Sequence, residues 1–221
     1  MITQANPREK VKQDYKLFEG RYREQMSLLI SKGYQPLTIG GIMQGRLEET
    51  LSYDTYYDTV TGIFYAGNNQ DKFKILPYSE ALARVNKTTP LYDGGIKQTK
   101  QKYEQIEARE FSRKEIITGR RLTKKEAIEH QGWLELAGGD KAFHERNVER
   151  VFKLFKDNKY GKDKAMSFYI RGPQEVPNIR VVYLGGLDGW SSAVGGCRLD
   201  YYARLVGVSE KSAEGTRAGK R

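Results

Sequence analysis

The chain has little of what marks a secreted, metal-binding or membrane protein. It has one cysteine, Cys197, and two histidines among 221 residues. A single cysteine excludes an internal disulfide and cannot build a zinc site alone. No apolar run approaches the roughly 18 residues that a membrane span needs, and the first 30 residues lack the apolar core of a signal peptide. We therefore expect a protein without membrane association, located in the cytoplasm or within a virus-infected cell.

Local signatures of common catalytic sites are also missing. The glycine-rich segment Gly40–Gly45 is not followed by the Lys-Ser/Thr pair of a P-loop. Ser191 and Ser192 have no G-x-S-x-G elbow around them. His130 and His144 lack HEXXH spacing, and histidines packed within helices fit them better than metal ligands. We expect no metal and no cofactor. Whether the chain is an enzyme stays open, because carboxylate sites assembled from distant positions leave no local signature.

Two aspartate-containing segments allow alternative interpretations. Asp54 and Asp58 lie in a tyrosine-rich patch, where they either share a metal ion or, as we favour, cap turns of their own backbone. The glycine-rich loop around Asp188 is typical of a turn. The alternative is a substrate loop that exposes Trp190, since long loops often carry function.

Positive charge is abundant and unevenly spread. The net charge is +10, and residues 96–164 hold 18 basic against 12 acidic side chains, whereas residues 34–95 hold 5 against 7. A basic excess of this kind is typical of proteins that bind a polyanion, most often nucleic acid.

The densest basic cluster precedes a predicted helix. Thr123 and Glu126 have the spacing of a capping box, so a helix is predicted to begin there. Exposed N–H groups at a helix N-terminus, surrounded by cations, indicate a phosphate docking point; the alternative is a solvated surface turn. The residues of this basic cluster are Arg113, Lys114, Arg120, Arg121, Lys124 and Lys125.

A second basic surface is predicted on the outer face of the C-terminal strands. Arginine beside tyrosine on a sheet can hold single-stranded nucleic acid by charge and stacking. The alternative is that a helix or a partner chain covers this face. Its residues are Arg180, Arg198, Tyr202 and Arg204.

The hydrophobic pattern predicts an α+β fold. Apolar residues spaced three or four apart from Val11 to Leu29 predict a long N-terminal helix, which starts at Asn6-Pro7 and ends at Gly33. Ile63–Ala66 and Lys72–Leu76 predict an N-terminal hairpin of an antiparallel sheet.

The second half of the chain is predicted to contain a central helical hairpin and a C-terminal antiparallel meander. The helical hairpin covers Lys124 to Phe155, with its turn at residues 138–140. The strands of the meander are Met166–Ile170, Ile179–Leu184 and Cys197–Val206. We expect residues 1–208 to form a single domain, with a candidate internal boundary near 90–95, and residues 209–221 to form a disordered basic tail.

Charge and surface pattern together favour a non-enzymatic, nucleic-acid-associated protein that binds through the basic cluster, the Arg/Tyr sheet face or both. One alternative is a structural or assembly subunit that forms a homo-oligomer, with a virus as one candidate source. Another is a hydrolase with a dispersed carboxylate site.

Overall fold

Helices and strands both build the fold, which the computed structural model describes for residues 13–116, 118–158, 163–188 and 191–210. The strands in these ranges are β1 (Gln13–Arg21), β2 (Gln35–Pro36), β3 (Tyr57–Tyr65), β4 (Phe73–Leu76), β5 (Leu91–Tyr92), β6 (Gly95–Lys97), β7 (Glu110–Phe111), β8 (Leu122–Thr123), β9 (Lys164–Ala165), β10 (Phe168–Tyr169), β11 (Asn178–Leu184), β12 (Ala193–Cys197) and β13 (Tyr202–Glu210). The helices are α1 (Tyr22–Ser31), α2 (Ile39–Leu47), α3 (Glu80–Ala83), α4 (Lys100–Gln105), α5 (Lys124–Glu129), α6 (Gln131–Leu136) and α7 (Lys141–Asp157).

One large mixed sheet organises the molecule. Its main path runs β1-β13-β3-β11-β12-β10, with shorter strands added at the sides. The central strands β3 and β11 pair antiparallel, from Tyr65 opposite Asn178 to Tyr57 opposite Leu184. The predicted hairpin is confirmed as the antiparallel pair β3–β4. Through β11, the N-terminal hairpin and the C-terminal strands belong to the same sheet.

Apolar side chains cover both faces of this sheet. Successive residues of β3 alternate between two buried clusters: Ile63 and Tyr65 join one, and Phe64 joins the other. The first cluster includes residues of α2, α6 and α7, and the second includes residues of α1 and α3. Burial on both sides explains why every residue of β3 is buried, without the polar alternation of a strand that has one solvated face.

The prediction of a long N-terminal helix is wrong. Residues 13–21 form the edge strand β1, which pairs with β13 over nine residues, and the helix begins only at Tyr22. The ladder with β13 satisfies the backbone groups of this segment, so long-range pairing overrides a helical apolar spacing. The helix ends at Ser31, and Gly33 follows in the left-handed region (φ +75°). The part of the prediction before residue 13 lies outside the described residues.

The strand order that we predicted for the C-terminal meander is also wrong. β12 pairs with β11, but β13 crosses to the other side of β3, where β1 and β2 also pair with it. The predicted strand from Cys197 to Val206 is interrupted, because Leu199 and Asp200 form a turn between β12 and β13. This turn places Tyr201 at the surface with 63% exposure.

The central helical block contains three helices instead of two. The capping box of Thr123 and Glu126 is present at the start of α5. The first predicted helix is divided at His130, whose extended backbone ends α5 and caps α6. α7 follows Gly138 and Gly139, which are both in the left-handed region, and Asp140 caps it.

The predicted division into a domain and a tail stays a prediction. Residues 91–97, near the predicted boundary, form the hairpin β5–β6, and β6 pairs with β11 of the large sheet. Ser209 and Glu210 lie in β13, and residues 211–221 lie outside the described part. No helix in the described ranges is long and apolar enough to cross a membrane. The cytoplasmic location and the homo-oligomer also stay predictions.

Candidate ligand-binding site

Three of the six residues of the basic cluster at the start of α5 are paired with carboxylates. Arg120 binds Glu126 through two nitrogens, at 2.7 and 3.1 Å. Arg113 contacts Asp71 at 2.7 Å. Lys124 lies 3.3 Å from Glu149 of α7. The cluster also includes Lys114, Arg121 and Lys125, which lie at the exposed surface. Half of its basic side chains are therefore engaged by carboxylates of the protein, and α5 itself has only six residues.

The predicted Arg/Tyr sheet face does not form as a basic surface. The side chain of Arg180 is fully buried and binds Asp93 at 2.9 Å. Arg198 follows the last residue of β12, so it lies outside the sheet, and it binds Asp200 and Asp93. Arg204 pairs with Glu19 of β1 at 2.8 Å. Tyr202 is 59% exposed, but the arginines that were expected to accompany it are engaged by acidic residues.

Both histidines are buried and hydrogen-bonded inside the helical block. The ring nitrogen Nδ1 of His130 accepts a hydrogen bond from the backbone N–H of Trp133. Nε2 of His144 lies 2.8 Å from the carbonyl oxygen of Ala127. Burial lowers the pKa of His144 below its usual value. Among the residues that the structure describes, no group of three His, Cys, Asp or Glu side chains is arranged to hold a metal ion.

A concave pocket lies where several strands of the large sheet begin or end. The start of β3, the end of β11 and the start of β13 meet there, because Asp58 of β3 lies opposite both Tyr183 and Leu205. The end of β12 completes the wall. The pocket has a volume of about 410 Å³, within the range of small-molecule sites. Its lining residues are Tyr56, Asp58, Tyr183, Gly185, Gly186, Asp188, Cys197, Arg198, Tyr201 and Tyr202.

Four tyrosines dominate the surface of this tyrosine pocket. Tyr56 and Tyr183 form an edge-to-face pair, with ring centroids 6.0 Å apart. Tyr201 and Tyr202 stand at the rim and are 63% and 59% exposed. Tyrosine offers a rigid apolar ring with a polar tip, which suits recognition of a partner at low cost in side-chain entropy. The rim residues have ring surface available for a ligand.

A buried arginine of α2 holds the loops that form one wall of the pocket. Arg46 is 1% exposed and donates hydrogen bonds to the carbonyl oxygens of Ser52, Thr55 and Gly185, at 3.1, 2.7 and 3.1 Å. Its guanidinium also stacks over the rings of two tyrosines of this region. Burial lowers the pKa of Arg46 to about 10. The residue joins the loop before β3 to the loop after β11.

Close approach of these two loops requires glycine at position 186. A Cβ atom there would lie 2.9 Å from the backbone of Asp54 and Thr55. The backbone N–H of Leu187 donates to the carbonyl oxygen of Tyr53 at 2.8 Å, which fixes the loops in register. Backbone contacts and the side chain of Arg46 together therefore hold this wall of the pocket.

Asp58 is a buried carboxylate of the pocket. One of its oxygens accepts a hydrogen bond from the backbone N–H of Arg204 at 2.9 Å. Burial raises the pKa of Asp58 to about 7, and the hydrogen bond opposes this rise. Among the described residues, no cationic side chain lowers that pKa. Nearby, burial raises the pKa of the Cys197 thiol to about 12, so this cysteine is a poor nucleophile near neutral pH.

Comparison with known proteins gives a fold and no family. The chain matches no protein-family model and no curated protein. It is similar to a solved structure described as "Accommodation of massive sequence variation in Nanoarchaeota by the C-type lectin fold", with a TM-score of 0.69 and 14% sequence identity, over 91% of this chain and 100% of the other. The chain has a C-type lectin-like fold. At this identity the likeness shows the fold alone.

The predicted nucleic-acid-binding function is wrong. The C-type lectin-like fold gives it no support. The two surfaces on which it rested are engaged in ion pairs, with Arg113, Arg120 and Lys124 in one and Arg180, Arg198 and Arg204 in the other. Neither the likeness nor the site geometry supports the predicted assembly subunit or the dispersed hydrolase.

Sequence patterns marked parts of the tyrosine pocket but did not show that these parts lie together. The tyrosine-rich patch was noted, and its Asp58 was interpreted as a turn cap with a shared metal ion as the alternative. The loop around Asp188 was interpreted as a turn with a substrate loop as the alternative. Trp190 of that loop lies outside the described residues. The signal in the sequence was the excess of tyrosine, 15 against 8 phenylalanines, in segments that also carry aspartate and glycine.

Proposed function

We propose that this protein is a non-catalytic recognition module that binds its ligand in the tyrosine pocket. The observation that carries the proposal is a pocket of about 410 Å³ with four tyrosines, two of which remain more than half exposed. Exposed aromatic rings at the rim of a concave site are typical of binding surfaces.

The separation between framework and lining supports recognition. The framework consists of the sheet with apolar clusters on both faces, the buried Arg46 and the close backbone contact at Gly186. The lining side chains of Tyr201 and Tyr202 lie at the surface, so replacing them disturbs no buried packing. The similar structure is described as a fold that accommodates massive sequence variation in Nanoarchaeota. A framework that holds its shape while surface side chains differ is what such accommodation requires.

The chemistry of the pocket favours binding over catalysis. Burial keeps the Cys197 thiol protonated near neutral pH, and both histidines lie in the helical block, outside the pocket lining. The pocket residues thus offer ring faces, hydroxyls and charges for contact but no activated nucleophile.

The proposal is tested by nuclear magnetic resonance screening of a fragment and peptide panel against the ¹⁵N-labelled protein. Ligands that shift the amides of residues 183–188 and 197–202 are expected to lose most of their affinity in the Tyr201→Ala/Tyr202→Ala double variant. The matched control is Tyr78→Ala, an equally replaceable tyrosine that is 48% exposed and does not line the pocket. Equal binding by the double variant and the wild type would reject the pocket as the recognition site.

A further inference from the structure

The sign of the charge in the tyrosine pocket indicates the chemistry of its ligand. Three charged residues line the pocket: Asp58, Asp188 and Arg198. The charge of Arg198 is already met by protein groups, because it forms a two-nitrogen pair with Asp200, at 3.0 and 2.8 Å, and binds Asp93 at 3.1 Å.

Asp58 differs from Arg198 because no cationic side chain in the described part of the chain serves as its counter-ion. It is 7% exposed, and its partners are backbone N–H groups. A carboxylate buried without a cation is costly, because burial removes water from the charge. A cation that entered the pocket would supply the missing partner.

The rings around Asp58 suit a cation as well. Aromatic rings attract cations through the negative potential of their faces, and several rings around one site form an aromatic cage for alkylated ammonium groups. The protein already uses this attraction beside the pocket: the guanidinium of Arg204 lies 5.1 Å from the ring centroid of Tyr56, and that of Arg198 lies 5.1 Å from that of Tyr201.

We infer that the tyrosine pocket is an aromatic cage that binds an organic cation, an alkylated ammonium group, against the carboxylate of Asp58. This inference rests on the proposed function and names the ligand class of the same site. The tyrosine rings contact the alkyl groups of the ligand, and Asp58 balances its charge. The ammonium group belongs either to a small free molecule or to an alkylated lysine side chain of a partner.

The test compares choline with its neutral isostere 3,3-dimethylbutan-1-ol by calorimetric or NMR titration of the intact protein. Choline is expected to bind about tenfold or more tightly than the neutral isostere, because only the cation gains the ring and carboxylate attraction. Asp58→Asn should reduce choline affinity by about tenfold and leave the affinity for the isostere unchanged. The asparagine retains an oxygen that accepts the Arg204 N–H bond, so the variant is expected to fold.

A second variant keeps the test independent of Asp58. Tyr201→Ala/Tyr202→Ala should weaken choline binding, and Tyr78→Ala should not. A trimethyllysine peptide distinguishes the two sources: affinity well above that of choline assigns the cation to a protein partner, and equal or lower affinity assigns it to a small molecule. Equal binding of choline and the isostere, or an unchanged choline affinity in Asp58→Asn, overturns the cage.

Failure of the cage is distinguishable from failure of the proposed function. If the isostere or acetate binds at the pocket while choline does not, the ligand class is wrong and the recognition site stands. If neither these probes nor the fragment and peptide panel shifts the pocket amides, both are wrong.

Discussion

The buried carboxylate of Asp58 should make the stability of the protein depend on pH in a direction opposite to that of most aspartates. Its pKa in the folded protein is about 7, against 3.8 for the free side chain. The folded state therefore holds this proton more tightly than the unfolded state does. The contribution of Asp58 to stability is fully present below about pH 4 and is lost as pH rises through 7.

The shift corresponds to roughly 4 kcal/mol at 1.36 kcal/mol for each pKa unit. Asp58→Asn is neutral at every pH, so it isolates this contribution. We expect the free energy of unfolding of the wild type, minus that of the variant, to fall by about 4 kcal/mol between pH 4 and pH 8. Urea denaturation at each pH measures both values.

Asp200→Asn is the matched control for this measurement. Arg198 lowers the pKa of Asp200, so the stability that Asp200 contributes is present above about pH 4 and is lost only below it. The difference between wild type and Asp200→Asn should therefore stay level from pH 5 to pH 8. A level difference for Asp58→Asn over the same range would refute the burial of an unpaired carboxylate at this position.

Two further outcomes follow from the buried groups near the pocket. Arg46→Lys should lower the free energy of unfolding by about 3 kcal/mol or more in urea denaturation. The reason is that an ammonium cannot reach all three carbonyl oxygens and leaves buried acceptors unpaired. A loss below about 0.5 kcal/mol would contradict this role of Arg46. Cys197 should react with a thiol reagent at pH 8 far more slowly in the folded protein than in urea, because burial raises its pKa to about 12. Equal rates would show that the thiol is not buried in the folded protein.

Local signals in the sequence predicted elements whose causes are local. The capping box at Thr123, the β3–β4 hairpin and the helix before Gly33 all depend on neighbouring residues. β1 could not be recognised in this way, since its partner strand β13 begins about 180 residues later in the chain and its apolar spacing also fits a helix. The crossing of β13 to the far side of β3 is likewise a choice of long-range pairing that alternation in a strand does not encode.

The candidate site was hidden because the sequence shows charge but not burial. Arg180 was predicted on an exposed face, yet its partner Asp93 lies 87 positions earlier and draws it into the interior. Arg46 and Asp58 are buried for the same kind of reason, through contacts with loops from distant parts of the chain. Only the folded sheet brings the tyrosines at positions 56, 183 and 201 together in one pocket.

The ladder between β1 and β13 has one end at the tyrosine pocket and the other end far from it. Arg21 and Tyr202 pair at the pocket end of this ladder, and Gln13 and Glu210 pair at the other end, roughly 26 Å away at the usual rise of a strand. Gln13 and Glu210 therefore lie side by side, away from the pocket. A probe attached at either of these two residues would lie about 26 Å from the pocket end of the ladder and would leave the opening accessible.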